Sequence, residues 1–223
     1  MLYALGQPAS LAGLLVGFLL ALTVRAVAIR AVTRGLRLSW DRGPWFSPRH
    51  DVDPFGAVGA AVGLGWGRPT DVGEVSRRRG RGAAALVFAA GPLAALALAQ
   101  ALLAVYALTY GTDREAFLVN TPAIIMYGVY DVDFGAQFLL SLAVAPLCFA
   151  VLALLPMPPL DGFGLLWCCF RAPGPGIGKY KHWFADNNIG IAVLLAVMLI
   201  PFLGTPFFLV IDAVATPLMR VWT

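Results

Sequence analysis

LLPMPPLDGFG, residues 154–164, is the stretch whose reading decides how this chain folds. It follows an apolar run, residues 134–155, long enough to cross a bilayer. Pro156, Pro158 and Pro159 crowd into four positions, and proline lacks the backbone donor a helix needs. The chain is therefore expected to open into an extended stretch. Open backbone at membrane depth is tolerated only where protein covers it or where it lines a wet cavity. Asp161 follows at once, beside Gly162. A carboxylate at the edge of a span reads as a functional site by default. A helix cap in a cytosolic turn is the plain alternative.

Outward from this stretch, the composition is that of a membrane protein. The 223 residues are 60% hydrophobic and 13% charged, where soluble domains carry about 25% charged residues. The mean hydropathy is +0.80. A single polytopic, all-α membrane domain over residues 1–223 is expected, with no separate soluble domain. The net charge of +4 sits in a few loops, which suits the anionic headgroups of a lipid bilayer. No aromatic-basic pattern points to nucleic acid. Cys148, Cys168 and Cys169 lie in or beside apolar runs, have no zinc-finger spacing, and read as small apolar residues. No basic segment precedes the first apolar run, and Arg30, Arg34 and Arg37 follow it. That is the pattern of a retained anchor whose C-terminal end is cytoplasmic, not of a cleaved signal peptide.

Four crossings are expected, over residues 11–31, 83–108, 134–155 and 189–211, the last broken by Pro201, Gly204 and Pro206. The first contains Arg25, about a turn and a half before Arg30. Arg30 can snorkel to cytoplasmic headgroups. Arg25 can do the same, or face the bundle and require an anion. Trp40 and Trp45 suit the interface. Residues 54–64 are apolar but only about ten long, where a helical crossing needs about 20. Their glycines, with Gly65, suggest a short re-entrant segment. The run Arg77, Arg78, Arg79 and Arg81 reads as a solvated, lipid-facing strip. Small residues around Gly91 and Pro92 allow another helix to approach closely. Asp113, Glu115, Asp131 and Asp133 make an acidic loop against Arg114. A short helix over residues 163–170 and a Gly/Pro-rich basic loop over residues 171–188 complete the chain. Orientation follows basic residues in short loops. The three basic loops share one side only if residues 54–64 do not cross, which leaves both termini outside.

These residues resemble, in order, the motifs of the site-2 proteases, a family of intramembrane zinc metalloproteases. LLPMPPLDGF (154–163) is similar to the family's Asn-x-x-Pro-x-Pro-x-Leu-Asp-Gly-Gly block. DPFG (53–56) resembles its Asp-Pro-x-Gly, GWGRP (65–69) its Gly-Trp-Ala-Lys-Pro, and AAGPLAA (89–95) its Ala-Gly-Pro-x-x-Asn. The resemblance implies a site-2-protease-like core of about four transmembrane helices plus a re-entrant segment. It also implies zinc in active members, held by a His-Glu-x-x-His helix and the aspartate of the Leu-Asp-Gly block. Here the His-Glu-x-x-His window falls on residues 25–29. Arg25 and Ile29 stand at the two histidine positions and Ala26 at the glutamate position. The only histidines are His50 and His182. Asp161 is the one ligand retained.

Further departures fall where the family's substrate cleft is expected. Ala95 and Ala153 replace asparagines, and Phe163 replaces a glycine, while Pro156, Pro158 and Gly162 keep the family pattern. The expectation is a pseudoprotease with no intact catalytic residue, no metal and no cofactor. Its partners are the bilayer and a membrane protein, an active relative being one candidate, in the cytoplasmic membrane of a bacterium. In place of the metal, Arg25 and Asp161 are expected to form a bidentate pair. Snorkelling of Arg25 with capping by Asp161 is the alternative. Two other functions stay open. One is an active zinc protease with ligands recruited from His50, Asp51 and Asp53. The other is a non-enzymatic transport or assembly subunit using Arg25, Asp161 and Asp212. A reporter fused near Arg79 is expected to read as cytoplasmic; an external reading would overturn the orientation.

Overall fold

The computed structural model describes residues 4–37, 44–70, 72–111, 120–129, 133–171 and 174–222. Trp40, Asp113, Arg114, Glu115, Asp131 and the side chains of Arg77, Arg78 and Arg79 lie outside that description. The described residues are mostly helical and form no strand, only an isolated bridge between Val52 and Gly67. Three helices are long and apolar enough to cross a membrane, and four if a bent pair is taken as one span. The chain is a multi-pass membrane protein.

α1 (Pro8–Gly35) opens on Pro8, whose fixed φ suits a helix start. It extends past the expected span at both ends. α2 (Pro48–Asp51) and α3 (Pro54–Val62) are short. α4 (Val72–Thr109) contains a break at Gly80, and the apolar part beyond it is the second span. α5 (Pro122–Tyr127) leads into α6 (Phe134–Ala153), the third span. α7 (Asp161–Cys169) follows the proline stretch.

α6 is the centre of the molecule. Every residue from Leu140 to Ala153 is buried. It packs against α1 and α4. Contact with α1 is close because glycines face it: a Cβ on Gly17 would lie 2.7 Å from the Leu142 carbonyl oxygen and 2.8 Å from Ala145 Cβ. Helix association in lipid relies on such small-residue contacts, since lipid tails are as apolar as leucine.

Residues 52–67 fold back on themselves, so that the chain around Val52 meets the chain around Gly67. Asp53 caps α3, its Oδ1 accepting from the Phe55 N–H at 3.2 Å. Asp53 Oδ2 also accepts from Trp66 Nε1 at 2.6 Å. The Trp66 ring lies over Gly59, where a Cβ would stand 2.6 Å from Cζ3. The Arg68 N–H donates to the Asp51 carbonyl at 3.0 Å, beside the Val52–Gly67 bridge. The segment thus returns to the level at which it entered.

Three expectations need correction. The proline stretch is not extended but a series of tight turns. The N–H groups of Met157 and Leu160 bond locally to the carbonyls of Leu155 and Met157, at 2.8 and 2.9 Å. The basic loop expected over residues 171–188 is largely helical, as α8 (Pro175–Lys181) continued by a π-turn (His182–Asp186). Pro175 starts it, and Tyr180 and Phe184, four apart, stack at 4.6 Å between centroids. The last apolar run is two helices, α9 (Ile189–Leu199) and α10 (Pro201–Met219), divided at only the first of its three expected breaks. The break falls at Ile200, before Pro201, and the helix continues through Gly204 and Pro206. Eleven residues span only about 16 Å, so α9 does not cross alone. It is bent by 67° from the helix ending at Asp186, and this is the pair that makes a fourth span if counted together.

Gly80 has φ +81° and ψ 173°, a region open essentially to glycine alone. Gly80→Ala is expected to cost roughly 1–3 kcal/mol, although no atom lies near its Cβ position. Gly82→Ala, helical and equally uncrowded, is expected to be neutral or stabilising by up to about 1 kcal/mol. Thermal unfolding of the two variants in detergent checks the contrast.

Candidate functional site

The site lies where α1, α4, α7 and the chain at Gly67 meet. Arg25, two-thirds of the way along α1, turns inward and donates from Nε to Asp161 Oδ2 at 2.7 Å and from Nη2 to Asp161 Oδ1 at 2.6 Å. This is a bidentate fork on both carboxylate oxygens. The side chains are 7% and 1% exposed. Snorkelling of Arg25 to headgroups is therefore not what happens. Asp161 is the first residue of α7, whose cap position is Leu160, and no side chain caps that terminus. The capping alternative for Asp161 fails with it.

Glycines create the space for the arginine. A Cβ on Gly91 of α4 would lie 2.7 Å from Arg25 Cγ, and one on Gly67 would lie 2.8 Å from Arg25 Nη1. The small residues around Gly91 admit α1, as expected from their sequence. Gly162 has no room for a Cβ, which would strike the Leu154 and Leu155 carbonyls as the proline turns fold back. That contact seats Asp161 at the start of α7.

One turn beyond Arg25, Ile29 is packed with Val87, Phe88 and Cys168 in a small apolar cluster. Ala26 is buried. Of the positions expected at a cleft, Ala95, Ala153, Pro158, Gly162 and Phe163 are buried and Pro156 is exposed. The Phe163 ring meets Trp167 and Tyr180 at 6.0 and 5.7 Å between centroids. Burial pushes the Cys168 thiol up, which keeps it protonated and unsuited to nucleophilic attack.

Arg30 departs from expectation. It does not snorkel. Its Nη1 and Nη2 donate to Asp51 Oδ2 and Oδ1 at 2.9 and 2.8 Å, and Nη1 also reaches the Trp45 carbonyl at 2.6 Å. The sequence carries no signal for this pair, because the partners stand 21 positions apart. Its consequence for His50, Asp51 and Asp53 is direct: Asp51 is held by Arg30, Asp53 by Trp66 and the α3 terminus, and His50 is exposed. Among the described residues, no three His, Cys, Asp or Glu side chains converge. Asp212 accepts from the Ala123 N–H at 2.8 Å, at the start of α5 and away from Arg25 and Asp161.

No protein-family model, no curated protein and no solved structure matches this chain.

Removing one partner of a buried ion pair strands the other charge. Arg25→Ala and Asp161→Ala are each expected to destabilise by roughly 3–5 kcal/mol. The joint replacement Arg25→Met with Asp161→Leu is expected to recover most of that loss, since desolvation offsets the attraction of such pairs. Denaturant melts of the single and double variants in detergent check both statements.

Proposed function

We propose that this protein is an inactive, site-2-protease-like membrane protein that binds or regulates a membrane partner without cutting it. The observation that carries this reading is the fork between Arg25 and Asp161. By the resemblance, Asp161 is the sole retained ligand, and both of its oxygens are engaged by a guanidinium standing at another ligand position. Catalytic zinc takes three protein ligands and keeps a fourth place for water. The residues here supply one carboxylate, already paired, so they do not fit that ion.

The remaining positions support the same reading. A metal-bound water needs a nearby group to take its proton. Ala26, at the glutamate position, has none to offer. Ile29, at the second histidine position, packs with Phe88 and Val87. Ala95, Ala153 and Phe163 bring only apolar side chains to places where amides or open space are expected. What the arrangement does provide is rigidity. The fork ties α7 to α1, and the glycines at 67 and 91 lock that contact from two sides. A helix bundle fixed from within in this way suits the presentation of its outer faces to another membrane helix.

Metal analysis tests the reading. The wild-type protein is expected to purify without stoichiometric zinc, and to leave a single-span reporter uncut in proteoliposomes. The triple replacement Arg25→His, Ala26→Glu and Ile29→His is expected to gain about one zinc per chain, lost again on Asp161→Asn. Stoichiometric zinc or cleavage in the wild type would overturn the inactivity. A folded triple variant that takes up no zinc would overturn the resemblance on which the reading stands.

A further inference from the structure

Lined by neither Arg25 nor Asp161, an open cleft of about 740 Å³ lies between α2, α3 and α9. Two kinds of residue line it, and they are segregated. Arg49 and Arg68 stand at one end, both exposed. Phe55, Ile191 and Leu195 form an apolar wall, with Phe55 53% exposed. Ile191 and Leu195 are four apart and share one face of α9.

The position of the cleft along the spans gives this segregation its meaning. Asp51, next to α2's Arg49 and His50, is held by Arg30, five residues before the end of α1. The arginine end therefore lies level with the last turns of a spanning helix, at headgroup height. Met198, one turn beyond Leu195, faces Gly63 at the inner tip of the re-entrant segment. The apolar wall thus descends from headgroup height toward the hydrocarbon. α3 and α9 pack side by side along this course.

Electrostatics select the sign of the occupant. Arg68 Nη1 donates to the Arg49 carbonyl at 3.1 Å, which brings the two residues together. Neither guanidinium has a carboxylate partner among the described residues. Asp53 also lines the cleft, but it is 6% exposed and its oxygens accept from Trp66 and Phe55. Planar guanidinium forks match phosphate oxygens well. An occupant with phosphate at one end and hydrocarbon at the other, arriving from within the bilayer, is a phospholipid.

We propose that this cleft holds one anionic phospholipid, its phosphate on Arg49 and Arg68 and an acyl chain against Phe55, Ile191 and Leu195. A free phosphate ion would leave the apolar wall bare, and a neutral zwitterionic lipid would gain less from two unpaired arginines. Both sites of interaction are independent of the fork at Asp161, so this proposal stands or falls apart from the proposed loss of protease activity.

The test uses the full-length protein, delipidated in detergent and offered equal phosphatidylglycerol and phosphatidylcholine, with retained lipid counted by native mass spectrometry. Two arginines near a headgroup, each worth roughly fivefold, predict a preference of about twenty-five-fold for phosphatidylglycerol. Arg49→Ala with Arg68→Ala is expected to bring the ratio to about unity, while Lys179→Ala, an exposed base outside the cleft, leaves it unchanged. Phe55→Ser is expected to lower phosphatidylglycerol retention. Excess inorganic phosphate is expected not to displace the lipid. All of these changes are on exposed side chains, and an unchanged melting temperature verifies the fold. Equal retention of the two lipids by the wild type, an unaltered ratio in the arginine double variant, or a loss as large in Lys179→Ala would overturn the proposal. Full displacement by phosphate would do so too, marking a plain anion site.

Discussion

A charge carried into a membrane interior has to meet its opposite there, and this requirement organises the molecule. A guanidinium alone on an inward helix face would be too costly to keep, as would a carboxylate alone at the base of a proline turn. Arg25 and Asp161 each make the other tolerable. Because they sit 136 positions apart, their meeting fixes how the first helix stands against the helix after the prolines. The glycines at 67, 91 and 162 are then determined by volume: each lies where a methyl group would collide with the pair or with the turns that present it. A pair of this type adds little net stability, since desolvation and attraction nearly cancel. Its effect is on which arrangement is allowed.

The same rule operates a second time nearer the surface. Arg30 and Asp51 bind the loop after the first helix back onto it. Asp53 ties the start of the re-entrant segment to its end through the Trp66 indole. Together these contacts hold a short helix, α3, between two ends of the chain that meet. Polar contacts at the base and an aromatic ring over glycine along the shaft divide the work. The charged groups set the level, and Gly56 and Gly59 set the closeness.

Much of this was legible in the residues, for identifiable reasons. Spans over apolar runs are dictated by length and hydrophobicity, so α1, the part of α4 beyond Gly80, and α6 fall near the expected limits. Residues 54–64 were too short for a helical crossing, and they fold as the short helix α3, whose flanking residues meet. The meeting of Arg25 and Asp161 was legible because two opposite charges in apolar surroundings have few other solutions. Long-range partners among several equivalent charges were not. Arg30 had water, lipid and several acids to choose from, and only the folded loop selects Asp51. Pro175 and the Tyr180–Phe184 stack make a helix where glycine and proline content suggested a loop. The division of the last apolar run at Ile200 was half legible, since Pro201 marked the break and Gly204 and Pro206 marked breaks that the helix absorbs.

The burial of Leu140–Ala153 has one more consequence. For that stretch of α6, the surrounding medium is other protein, not fatty acid. Its side chains answer to shape and volume, as those inside a water-soluble globule do, and the thickness or chemistry of the host membrane does not reach them. The molecule thus carries its own invariant interior into whatever bilayer receives it, and adaptation to a new lipid environment falls wholly to the outer faces of its neighbours.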